Sequence, residues 1–124
     1  MTERIRFITH QDKQILLIDL SDCTAHEVEK IFRAVPDVVT THARNSLLIL
    51  SDFTGASFDL DAIRVMKETV VFDKPYVKKS AWTGRAKVPQ VVAENLNESL
   101  SHFSRREFPL FKTREEALAW LAKE

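Results

Sequence analysis

The residues best placed to do chemistry are carboxylates that follow two apolar runs. Asp19 and Asp22 come after Ile15-Leu16-Leu17-Ile18, and Asp52 and Asp59 come after Leu47-Leu48-Ile49-Leu50. Ligands of open α/β sheets gather outside the carboxyl ends of strands. Hard oxygen donors suit Mg²⁺. If the two runs are neighbouring strands, Asp19, Asp22 and Asp52 could share a divalent cation. A blander role is favoured. Asp22, Asp59 and Asp61 stand where turns and helix starts are expected, and a carboxylate there accepts backbone N–H bonds and meets the positive end of the helix dipole. No metal or cofactor is therefore expected.

Thr54 and Ser57 lie between the second apolar run and the following helix. A hydroxyl there could hold a ligand or carry a phosphate near a helix N-terminus. It could equally serve as a cap or turn residue, which is the favoured reading. Gly55 supplies a positive φ or a close approach in the same loop. Thr83-Gly84-Arg85-Ala86-Lys87 places a Gly and two cations after a strand, but lacks the spacing of a phosphate-binding loop. His10, His26, His42 and His102 are scattered, with no metal-ligand spacing. No G-x-S-x-G elbow is present. Cys23 is the single cysteine. It has no CxxC partner, so it is read as structural. The protein is not expected to be an enzyme.

Aromatic residues offer a different chemistry. Phe53 and Phe58 flank the loop after the second run, and Phe72, Phe108 and Phe111 lie in other elements. Together they could line a pocket for a small apolar ligand, although aromatics at core spacing usually form core. Trp82 and Trp120 border apolar stripes and could pack over the sheet rim or form a contact patch.

The elements that position these residues follow from periodicity. Arg4 to Thr9 reads as a strand, Gln11-Asp12-Lys13-Gln14 as a turn, and Ile15 to Leu20 as a strand covered on both faces. Thr24 and Glu27 form a capping box. Val28, Ile31, Phe32 and Val35 continue that helix as one apolar stripe. Pro36 either kinks it or opens a second short helix. Leu47–Leu50 is a buried strand. Leu60, Ile63, Met66 and Val70 mark a helix capped near Ser57 or Asp59 and stopped by Lys74-Pro75. Val77 to Thr83 is a further strand. Val88, Val92, Leu96, Leu100 and Phe103 mark a third helix with Pro89 in its first turn. Glu107 to Phe111 is a short strand. Thr113-Arg114-Glu115-Glu116 is another capping box, opening a helix with Ala117, Leu118 and Leu121 inward. The order β-β-α-β-α-β-α-β-α implies a mixed, mostly parallel α/β sheet with an N-terminal antiparallel hairpin.

Composition bounds the rest. The 124 residues suit a single domain spanning 1–124, and 18 basic against 18 acidic side chains give a net charge of zero. No basic excess marks a nucleic-acid footprint. The longest apolar runs are far short of the ~20 residues that span a membrane. The start of the chain has no signal-peptide core. A cytoplasmic protein that contacts neither nucleic acid nor membrane is expected.

Four stretches carry a family resemblance: NSLLILSDFTGASF (Asn45–Phe58), KPYVKKSAWTG (Lys74–Gly84), the helix ending at SRREFPLF (Ser104–Phe111), and TREEALAWLA (Thr113–Ala122). With the opening hairpin they resemble small bacterial stand-alone domains of the STAS (sulphate transporter and anti-sigma-factor antagonist) type, whose function is uncharacterised. The resemblance implies a STAS-like fold and a regulatory module that binds rather than catalyses. It departs at the phosphorylation motif. Antagonists of that family carry D-S-S-G at the start of the helix after the central strand, where this chain reads Phe58-Asp59-Leu60-Asp61-Ala62. The phosphoserine switch is therefore not implied. By fold analogy the binding surface is the loop Asp52, Phe53, Thr54, Gly55, Ser57, Phe58 and Asp59. Its partner is another protein or a second copy of the chain, and the alternative is a carrier of a small apolar ligand in an intradomain pocket. The first strand is an expected edge, and edges invite pairing with another chain.

Overall fold

A computed structural model describes residues 4–88, 90–104 and 109–123, without the side chains of 90–93, 103 and 104. The expected Pro89 helix start, the residues 107–108 of the last expected strand, and the Val92 and Phe103 side chains lie outside the described residues. Five strands form one sheet in the order β1-β2-β3-β4-β5: β1 Ile5–His10, β2 Lys13–Asp19, β3 Leu47–Asp52, β4 Val77–Thr83 and β5 Leu110–Phe111. β1 and β2 are antiparallel and every later neighbour is parallel. Among the described residues, α1 Ala25–Val39, α2 Leu60–Asp73 and α3 Gln90–Ser104 connect successive parallel strands, and α4 Arg114–Ala122 follows β5.

The hairpin turn is tighter than the sequence suggests. Only Gln11 and Asp12 lie outside the strands, at φ 51° and 64°. Two consecutive positive φ values match the right-handed twist of the flanking strands, which is why two residues suffice and Lys13 and Gln14 join β2.

Side-chain alternation splits the core into two layers. Leu16 and Ile18 of β2 and Leu47 and Ile49 of β3 face α1, α2 and α3. Ile15, Leu17, Leu48 and Leu50 face the other way, against Ala117 and Leu121 of α4. Burial on both faces explains why these strands read as continuous apolar runs. At the end of α4, Lys79 of β4 donates from Nζ to the Trp120 and Lys123 carbonyls, the first of which also accepts the Lys123 amide. The same ammonium lies 4.3 Å from the Trp120 ring centroid, which also meets Phe111. Trp120 thus packs over the sheet rim.

Threonine and aspartate side chains cap three of the helix starts, one of them with a full capping box. The Thr24 hydroxyl accepts from the Glu27 amide at 3.2 Å while Glu27 Oε1 accepts from the Thr24 amide at 2.9 Å. Thr113 caps α4 through the Glu116 amide at 3.2 Å, but the Glu116 carboxylate accepts from the Thr113 hydroxyl rather than from its amide, so only half of the expected box forms. Asp59, rather than Thr54 or Ser57, caps α2, accepting from the Ala62 amide at 2.8 Å. Pro36 neither ends α1 nor opens a second helix; it lies inside one continuous helix.

Candidate functional site

Register places Asp19, Asp52 and Thr83 side by side at the carboxyl ends of three adjacent parallel strands. Two of the three carry the same local device. Asp19 Oδ1 accepts from the Ser21 amide at 3.1 Å and hydroxyl at 2.6 Å. Asp52 Oδ1 accepts from the Thr54 amide at 3.0 Å and hydroxyl at 2.7 Å. In both, an Asp two residues before a Ser or Thr ties the strand end to the loop that follows.

The outer carboxylate oxygens face arginines. Arg114 Nε donates to Asp52 Oδ2 at 2.8 Å, and its Nη2 lies 4.0 Å from Asp19 Oδ2. Arg4 and Arg6 approach Asp19 at 3.6 and 3.7 Å. Burial alone would raise the Asp19 carboxyl. The Ser21 bonds and the Arg4 and Arg114 charges outweigh it and hold the group below its ordinary range. The Asp19 and Asp52 carboxylates thus converge on guanidinium groups. Among the described residues no three His, Cys, Asp or Glu side chains stand together as metal ligands.

Three loops are zipped together beside this pair. Asp22 donates to the Thr54 carbonyl, Gly55 to Arg85, Ser57 to Cys23 and Lys87 to Ala56, all backbone bonds of 2.6–3.0 Å. The contact requires two glycines at positive φ. A Cβ on Gly55 would come 2.2 Å from Asp22 Oδ1, and one on Gly84 would come 2.5 Å from the Thr54 amide nitrogen. Cys23 is buried under this zipper, and burial pushes its thiol up, away from the reactive thiolate.

The loop expected to bind is therefore part anchor and part surface. Asp52 (5% exposed) and Phe53 are buried. Thr54 and Asp59 are exposed, and Gly55, Ser57 and Phe58 are half-buried. Phe53 lies 4.6 Å from the Trp82 ring centroid and 5.3 Å from that of Phe58, edge-on. These rings, with Phe111 and Leu110, floor a groove of about 500 Å³ whose remaining lining is Gly84, Ala86, Arg85 and Lys112. The aromatic cluster expected from sequence is thus partly assembled: Phe53 and Phe58 meet and share the groove lining with Phe111, Phe72 is exposed on α2, and Phe108 lies outside the described residues. Sequence reasoning assigned Arg114 no role here, because nothing local ties a helix-start arginine to an aspartate 62 positions earlier. It left Trp82 at a strand rim, although the one-residue offset from Thr83 already turned it to the other sheet face.

A five-stranded mixed sheet with this hairpin, these parallel crossovers and this cluster of loops at the strand ends is a STAS-like α/β fold. The chain is similar to the crystal structure of an uncharacterised protein of the DUF3478 family with a SpoIIAA-like fold from Shewanella loihica PV-4, with a TM-score of 0.68 and 19% identity over 95% of this chain and 92% of that one. No family model and no curated protein matches the chain. No helix among the described residues is long and apolar enough to cross a membrane.

Proposed function

We propose that the protein is a non-catalytic STAS-like module that binds an amphiphile at the carboxyl ends of β4 and β5, with the apolar body on the aromatic floor and an acidic head toward Arg85 and Lys112. One observation carries this reading: the groove of about 500 Å³ pairs four aromatic rings with two cationic side chains. That volume falls within the several hundred Å³ typical of small-molecule sites. Its location agrees with the rule that ligands of open α/β sheets sit at strand carboxyl ends. The zipped loops hold Phe53 and Phe58 in place before any ligand arrives, which lowers the ordering cost of binding.

Titration with decanoate, followed by Trp82 fluorescence in a Trp120→Phe background, tests the reading. A saturable change that weakens on Phe58→Ser and on Arg85→Glu with Lys112→Glu supports it. A flat response, with an unliganded mass by native mass spectrometry, removes it.

A protein partner or a second copy is the other reading. It is favoured by the apolar residues left outside on α2, Leu60 (84% exposed), Val71 and Phe72. Sedimentation velocity over a hundredfold concentration range, repeated with Leu60→Gln and Phe72→Gln, tests the second-copy form.

A further inference from the structure

The two edges of the sheet differ. Among the described residues β5 is two residues long, whereas β1 runs six residues in unbroken register against β2, and no strand lies beyond it. An open edge offers a row of N–H and C=O groups to another chain, and proteins commonly blunt it with proline, lysine, a bulge or shortness. β1 has no proline, lysine or bulge, and its one arginine, Arg6, is drawn in to Asp19 at 3.7 Å. The turn fixes which groups are open. With only Gln11 and Asp12 between the strands, His10 and Lys13 exchange the closing hydrogen bonds. Antiparallel pairs alternate, so Arg6, Ile8 and His10 bond to β2, while Ile5, Phe7 and Thr9 aim their N–H and C=O groups away from it.

This row is its own complement. The open residues are symmetric about Phe7. A second β1 laid antiparallel, with Phe7 opposite its counterpart, sets Ile5 opposite Thr9, and every outward N–H and C=O finds a partner. A shift by one residue sets outward groups against inward ones, and a shift by two loses a pair. Charge permits the arrangement, because Asp19 of the same chain already faces Arg6. Apolar surface flanks the edge. Phe7 is 37% exposed, and its ring lies 5.1 Å from that of His42. His42 Nδ1 in turn lies 3.0 Å from the Val38 carbonyl of α1, and Ile31 of α1 shares a surface depression with Arg4. The partly buried stripe Ile31, Ala34 and Val38 therefore runs beside β1. Backbone pairing over about 20 Å of strand is thus joined by apolar contact.

We propose that β1 pairs with β1 of a second copy about a two-fold axis at Phe7, joining the two sheets into one. The contact lies at the sheet edge opposite the groove and leaves both grooves open. It uses none of the exposed α2 side chains, and it stands if the amphiphile reading fails.

Sedimentation equilibrium of the full chain from about 1 μM to about 1 mM, with amide hydrogen exchange at both ends of that range, tests the proposal. A reversible dimer is expected. With rising concentration the amides of Ile5, Phe7 and Thr9 should gain protection, while those of Arg6, Ile8 and His10 are protected throughout. Phe7→Lys sets like charges opposite each other and should weaken the dimer about tenfold or more. Thr9→Pro removes one outward N–H and spares the bonds to β2, so it should weaken the dimer less, and it serves if Phe7→Lys does not fold. A monomer throughout the range overturns the proposal and leaves the edge to a strand of another protein or to none. So does a dimer that survives both variants, a dimer lost instead with Leu60→Gln and Phe72→Gln, or protection that does not alternate along β1.

Discussion

The Thr69 hydroxyl of α2 donates to the Phe32 carbonyl of α1 at 3.1 Å, across 37 residues of chain and within the core. That carbonyl would ordinarily accept the amide of the residue four positions later. Here the residue is Pro36, which has no N–H. Thr69 supplies the missing donor, and α1 runs through its proline.

Thr69→Val keeps shape and removes the donor. We expect a loss of about 1–2 kcal/mol by chemical denaturation, because a buried carbonyl is left unsatisfied. Pro36→Ala restores a helical N–H to the same carbonyl. In the Pro36→Ala background, Thr69→Val should cost clearly less, and equal costs in the two backgrounds would show that the pair is uncoupled.

Arg114 and Asp52 form the second long-range pair, at 2.8 Å, with Asp52 almost fully buried. Removing the arginine strands a buried carboxylate. With Arg114 partly exposed, Arg114→Met should cost about 1–3 kcal/mol, less than a fully buried pair. Adding Asp52→Asn should recover part of the loss. Asp52→Ala is likewise expected to lower stability, so binding tests on this loop belong to the exposed Thr54 and the half-buried Ser57 and Phe58.

Asp73 gives stability an inverted pH dependence. Burial raises its carboxyl from 3.8 to about 7. The folded state therefore holds this proton more tightly than the unfolded chain. The contribution is complete below about pH 4 and is lost as pH rises to 7, by a few kcal/mol at most. Denaturation of the wild type and of Asp73→Asn between pH 4 and 8 should show the variant gaining on the wild type throughout this window. A constant difference would mean that Asp73 does not titrate there.

Gly84 sits at φ 89°, against the Thr54 backbone and the Asp52 carboxylate. Gly84→Ala combines a strained backbone with a steric clash and should cost about 2–4 kcal/mol. Hydrogen exchange should localise the loosening to the amides of Gly55, Ser57 and Lys87. Loss spread evenly over the sheet would point to a global effect instead.

Local pattern was enough to place the elements. The apolar runs of β2 and β3, the Thr24 capping box, the Thr113 cap and the stripe from Val28 to Val35 all act within a turn or a strand, so neighbouring residues encode them. The convergence of Asp19 with Asp52 followed from placing their strands next to each other. The partners of the side chains were another matter. Arg114 for Asp52, Thr69 for Phe32 and the want of any partner for Asp73 depend on strand register and on which sheet face each helix covers. Those are properties of the assembled layers, and they join residues whose own neighbours carry no sign of the contact. The sequence alone thus determined a neutral, mixed α/β chain with acids at its strand ends. Tertiary packing decided that those acids meet arginines, that Phe53 joins Trp82 under a groove, and that one carboxylate oxygen is left unpaired in the core.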